Sequence, residues 1–140
     1  MSRIRLLLRR RRGERGAAAV EMALILPVLL LLVGGIIDFG RAFNAQMTLT
    51  QAAREGARMQ SLGYTDAQVT SRARQAATGL PTIAVNITSR CPTTDPSNAS
   101  VVEVSTNFNY LLLDGIVNLV GASMPASQTL RAQGSMRCSG

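Results

Sequence analysis

The sequence predicts an α+β protein: an N-terminal transmembrane helix extending into a small domain, with helices packed on a three-stranded antiparallel sheet. Three observations predict it. From Ala17 to Ile37 the one charged residue is Glu21, and these 21 residues make about 31 Å of helix, the thickness of a bilayer's hydrocarbon core. Beyond that run, apolar and small residues recur at spacings of three and four as far as Met59, the period of a helix with one buried face. From Ile83 onward the period changes to two, the period of a strand with one buried face. The predicted division is a basic leader at 1–16, the span at 17–38 and a domain at 39–140.

Residues 1–16 carry seven arginines against Glu14, whereas residues 17–140 carry eight arginines against seven acids. The formal charge of +7 therefore belongs almost wholly to the leader, and nucleic acid is not an expected partner. Arginine clusters beside a span stay on the cytoplasmic side, so the N-terminus is predicted inside and residues 39–140 outside. A secretory signal peptide starts the same way. Its apolar region is shorter, however, and ends in an A-x-A-like site, while the nearest candidate here, Phe43-Asn44-Ala45, lacks the first small residue. Twin-arginine export fits less well, because Glu14 interrupts the approach to the apolar run.

Histidine is absent, which removes the commonest metal ligand and the usual general base. Ionisable residues in the domain are few, scattered and mostly arginine. No catalytic residue, metal or cofactor is expected, and an enzyme is disfavoured.

Within the span, Ala19 and Ala23 form a small-x-x-x-small pair that permits close helix approach. Pro27 removes a backbone donor, and Gly34-Gly35 adds a soft spot. Asp38 lies three residues from Arg41, a modest helix-surface pair. Glu21 is the puzzle, since a carboxylate in lipid costs free energy even near the interface. The bland reading is a snorkelling side chain with no role. The spacing offers another: Gly16 precedes Ala17, and Glu21 lies one helical turn beyond Ala17 on the same face. A cut after Gly16 would give Ala17 a free α-ammonium that Glu21 could meet, in its own chain or in a neighbour.

The stretch RGAAAVEMALILPVLLLLVGGIIDFGRAF, followed by LTQAAREGAR, resembles the TadE-like family, with the resemblance densest over Arg15 to Arg58. Those proteins are pseudopilins, or minor pilins, of the bacterial tight-adherence (Flp) type IV pilus system. The resemblance implies that a prepilin peptidase cuts between Gly16 and Ala17 and that Glu21 is the assembly carboxylate, meeting a neighbour's amine. It implies as partners that peptidase, other pilins or pseudopilins, the inner-membrane pilus assembly platform and membrane lipid. It places the chain in the bacterial inner membrane, with the N-terminus cytoplasmic and the domain extracytoplasmic. Met22 departs from the pattern, since the family usually has an aromatic there; methionine keeps the position apolar but leaves its packing partner open. The competing reading is a single-pass anchored extracytoplasmic binding domain whose leader is never cut.

Ala42, Ala45, Leu49, Ala52, Gly56 and Met59 form a stripe of mostly small residues, predicted to be a spine for the domain's own sheet, the alternative being a partner pseudopilin. Arg54, Glu55 and Arg58 then lie on the wet face, and Gly63-Tyr64 ends the helix. Thr65 with Gln68 matches a capping box and predicts a second helix to about Ala77, stopped by Gly79 and Pro81. Ile83, Val85 and Ile87 mark a first strand, residues 92–100 a turn-rich loop, and Val102, Val104, Thr106, Phe108 and Tyr110 a second strand. Leu111 to Gly121 is apolar but too short and too polar for a second span. It reads as a loop or short helix covering one sheet edge, with Asp114-Gly115 as a turn. Thr129 to Arg137 is the third strand. Cys91 follows the first strand and Cys138 ends the last, so an oxidising compartment would let them pair, with 46 residues between them. Two reduced thiols are the alternative. Asn86-Ile87-Thr88 and Asn98-Ala99-Ser100 match the glycosylation pattern, which the bacterial resemblance makes coincidental.

Overall fold

A computed structural model describes residues 3–91, 98–119, 121–123, 125 and 127–138, with side chains described from residue 16 onward. The element order is α1 (Arg3–Ser61), α2 (Asp66–Ala76), β1 (Ala84–Ser89), β2 (Ala99–Asn109), α3 (Leu112–Leu119) and β3 (Ser127–Arg137). The expectations for the side chains of residues 1–15 and for the centre of the loop at 92–97 lie outside the described residues. The strand β2 begins at Ala99, inside the stretch read as loop.

The helix α1 continues through Pro27. It stops where Gly63 takes a positive φ of 80°, and there the Tyr64 N–H reaches back to the Met59 carbonyl and the Gly63 N–H to that of Gln60. That arrangement satisfies carbonyls the last turn would otherwise leave open, at a position where a side chain would be strained. At the start of α2, Gln68 Oε1 accepts from the Thr65 backbone N–H at 3.1 Å and from its hydroxyl at 2.9 Å. The predicted capping box is present.

Two compact units divide the chain. One holds residues 39–110 and 125–140; the other holds residues 1–38 and 111–124. In the first, the sheet is an antiparallel meander in the order β1-β2-β3. The central strand β2 pairs Val102 with Ile87 on one side and with Gly134 on the other. Its residues Ser100, Val102, Val104, Thr106 and Phe108 are buried in strict alternation. Of these, Val102 and Val104 pack with Leu49, Ala52, Ala53 and Ala57 of α1 and Val69 and Ala73 of α2, all of them wholly buried. The small-residue stripe is thus the spine of the domain's own sheet. It includes Ala53 and Ala57, which the spacing argument left out.

Small side chains are required here because backbone meets backbone. A Cβ on Gly134 would fall on the Ala53 carbonyl, and one on Gly56 would lie 3.1 Å from Val102 Cγ1. Buried hydroxyls meet backbone carbonyls around the core: Ser100 Oγ donates to the Ala57 carbonyl at 2.9 Å at this contact, and Thr106 Oγ1 to that of Thr82 at 2.6 Å ahead of β1.

The segment from Leu111 was expected to cover a sheet edge. The structure corrects this. α3 groups with residues 1–38, its side chains Leu112 and Ile116 reaching Gly34, and Leu113 reaching Gly35. Asp114 and Gly115, read as a turn, lie inside the helix. The physical reason is that a partner far away in sequence supplies the helix start, as described next.

Candidate functional site

Along Gly16 to Ile37 the side chains of α1 point outward. Val20 and Met22 are 62% exposed and Leu24 is 72% exposed. A large apolar side chain is stable there only in an apolar surrounding, and this helix is long and apolar enough to cross a membrane. The region is by length and composition a membrane anchor.

Gly16, Ala17 and Glu21 are all exposed and all within the continuous helix α1. Helical geometry puts Ala17 and Glu21 on one face a turn apart. The residues singled out at the leader junction thus share one exposed helical stretch, with open space around Gly16.

At the far end of the anchor lies a carboxylate that sequence reasoning placed on the surface. Asp38 is fully buried. Its Oδ2 accepts hydrogen bonds from the backbone N–H groups of Leu112 at 2.9 Å and Leu113 at 2.8 Å, and its Oδ1 from that of Leu111 at 3.3 Å. A carboxyl acceptor at a helix start satisfies N–H donors that have no intrahelical partner. The signal in the sequence was the acid closing the apolar run; what hid its role is a separation of more than 70 residues.

Within the domain, the Arg41 guanidinium lies over the Phe108 ring, 5.3 Å from its centroid, and Phe108 meets Tyr110 edge to face. Tyr110 donates its hydroxyl to Gln128 Oε1 at 2.6 Å. Cys91 and Cys138 are joined in a disulfide with Cα atoms 5.5 Å apart. Asp66 is hydrogen-bonded by the Arg90 guanidinium, which holds its carboxyl below the ordinary value and raises that of Arg90 in turn. Among the described residues no three of His, Cys, Asp or Glu are placed to hold a metal ion.

The fold and this site define a class: a small α+β domain carried on a membrane-anchor helix. Residues 16–58 match the family described as TadE-like protein, the same family that this segment resembles on its motifs. No curated protein and no solved structure matches the chain.

Proposed function

We propose that this chain is a pseudopilin or minor-pilin subunit of a tight-adherence pilus system, held in the bacterial inner membrane by residues 17–38 with its domain outside. The observation that carries this reading is the TadE-like match over the anchor and the part of α1 beyond it, which includes Gly16, Ala17 and Glu21. In this reading the chain is a substrate and not an enzyme. A prepilin peptidase hydrolyses the Gly16–Ala17 bond and leaves Ala17 with a free α-ammonium. Glycine is a poor helix former, by about 1 kcal/mol relative to alanine, and so eases local unwinding of α1 at the bond to be cut.

Glu21 then has a role that the uncut chain does not provide. A carboxylate at the apolar edge of a bilayer is costly alone and less so beside a cation. The Ala17 amine of an adjacent subunit, displaced along the helix axis, supplies that cation as subunits are added at the assembly platform. The pair favours addition in one axial register.

N-terminal sequencing of protein extracted from membranes tests the processing step. A start at Ala17 is expected; an intact arginine-rich leader on the mature protein would make the chain an uncut anchor for an extracytoplasmic binding domain. The variant Glu21→Ala is expected to be cut normally while surface pili are lost, and normal piliation in that variant would remove the role given to the carboxylate.

A further inference from the structure

We propose that α3 is a second lipid-contacting element, a short helix lying in the bilayer boundary against the end of the span, with acyl chains covering its open apolar side. This rests on the reading of residues 17–37 as membrane-spanning. Leu112 and Ile116 meet α1 at Gly34, inside the apolar run, and Leu113 meets it at Gly35. α3 therefore sits level with the last turn of the span. A Cβ on Gly34 would come within 3.3 Å of Leu112 Cβ and 2.8 Å of Ile116 Cδ1. Glycine there is what lets the second helix approach so closely.

The segment Leu111 to Leu119 carries only Asp114 and Asn118 as polar side chains. Leu111 is 69% exposed and Leu119 80% exposed, and on the neighbouring turn of α1 Ile36 is 66% exposed. Leu111 and Ile36 thus add outward apolar surface next to the end of the span, which lipid covers in this reading, and Leu119 adds more at the far end of α3, where Asn118 is also exposed. An apolar patch of this kind is not left facing water. Eight residues make about 12 Å of helix, too short to cross and suited to the interface.

The start of α3 points the same way. Unsatisfied backbone N–H groups at a helix start are tolerated in water and costly in a low-dielectric boundary. Here three successive N–H groups are met by one buried carboxylate, that of Asp38. A helix starting in water could leave those groups to the solvent.

The chain contains no tryptophan, so single tryptophans report position cleanly. Leu119→Trp, Leu111→Trp, Leu30→Trp and Tyr64→Trp are each made in the full chain and reconstituted in phosphatidylcholine vesicles, with acyl chains brominated near the headgroup or near the bilayer centre. The first two sites are exposed, so the new ring displaces no packed neighbour. Quenching of Leu119→Trp within about twofold of that of Leu30→Trp, and stronger from the shallow bromines, is the expected result for an interfacial helix. Tyr64→Trp should remain unquenched. If Leu30→Trp is quenched while Leu111→Trp and Leu119→Trp both behave like Tyr64→Trp, the α3 assignment fails and the span stands. A blue-shifted but unquenched α3 site would mean that protein covers the patch, which also overturns the proposal. An unquenched Leu30→Trp would remove the span itself, and this inference with it.

Discussion

One helix, α1, serves two environments, and its residues change accordingly. Through the anchor its side chains are large and turned outward, Leu30 being 45% exposed. Between Ala45 and Ala57 the inward face is almost all alanine and glycine, and Leu49 is completely buried. The difference is one of surroundings, not helix propensity, since leucine and alanine both favour helices. Lipid adapts to any apolar outline, so bulk there is harmless. A sheet cannot adapt, so the helix facing it must be trimmed until the two backbones fit.

That contrast can be broken most directly by making one substitution twice. Leu49→Ala should destabilise the domain by about 2–5 kcal/mol, because it removes buried surface and leaves a cavity. Leu30→Ala should leave domain unfolding unchanged, since lipid or detergent fills the gap. Thermal unfolding of both variants in detergent checks this, and equal losses would erase the distinction between the two halves. The next largest effect is the reverse change. Gly134→Ala puts a methyl group onto the Ala53 backbone and should cost about 3 kcal/mol, measured in the same way, because neither backbone can yield cheaply.

A third variant probes the end of the anchor. Asp38→Ala leaves the three N–H groups at the start of α3 without their acceptor and should cost about 1–2 kcal/mol locally. Faster hydrogen exchange confined to Leu111–Leu119 is the expected signature; exchange unchanged there would show that packing alone holds α3. The smallest effect belongs to the exposed pair of Arg90 with Asp66. The Asp66 carboxyl sits below its ordinary 3.8, so its contribution is complete above that pH and fades as pH falls through the lowered value. Arg90→Ala should therefore slightly flatten the acid limb of the stability profile and leave neutral pH nearly unchanged, which acid titration of unfolding checks.

Much of the domain was legible because its signals are local. The alternation of Val102, Val104, Thr106 and Phe108 announces a half-buried strand, and Thr65 with Gln68 announces a helix start. The stripe through Ala45, Leu49 and Ala52 gave the packed face of α1, though not Ala53 and Ala57, because alanine is too common in this chain to be read singly. Gly134 inside a strand pattern was a cue to close backbone approach that periodicity alone does not weigh. The home of α3 was not legible. Leu111 to Leu119 has the composition of a sheet-edge cover and of a helix packed on another helix alike, and the contact that decides between them joins residues 34–38 to residues 111–116. At the leader junction, Gly16, Ala17 and Glu21 were singled out from spacing and resemblance; they lie on one exposed stretch of α1, and the cut and pairing proposed for them need a second protein.

The bond between Cys91 and Cys138 encloses β2, α3 and β3 in a covalent ring. A protease that nicks the chain anywhere within that ring, including the stretch around α3, would open the ring without releasing either piece. The two fragments would run as one band on a gel until reductant was added, and a chain so damaged would still carry its whole domain on its anchor.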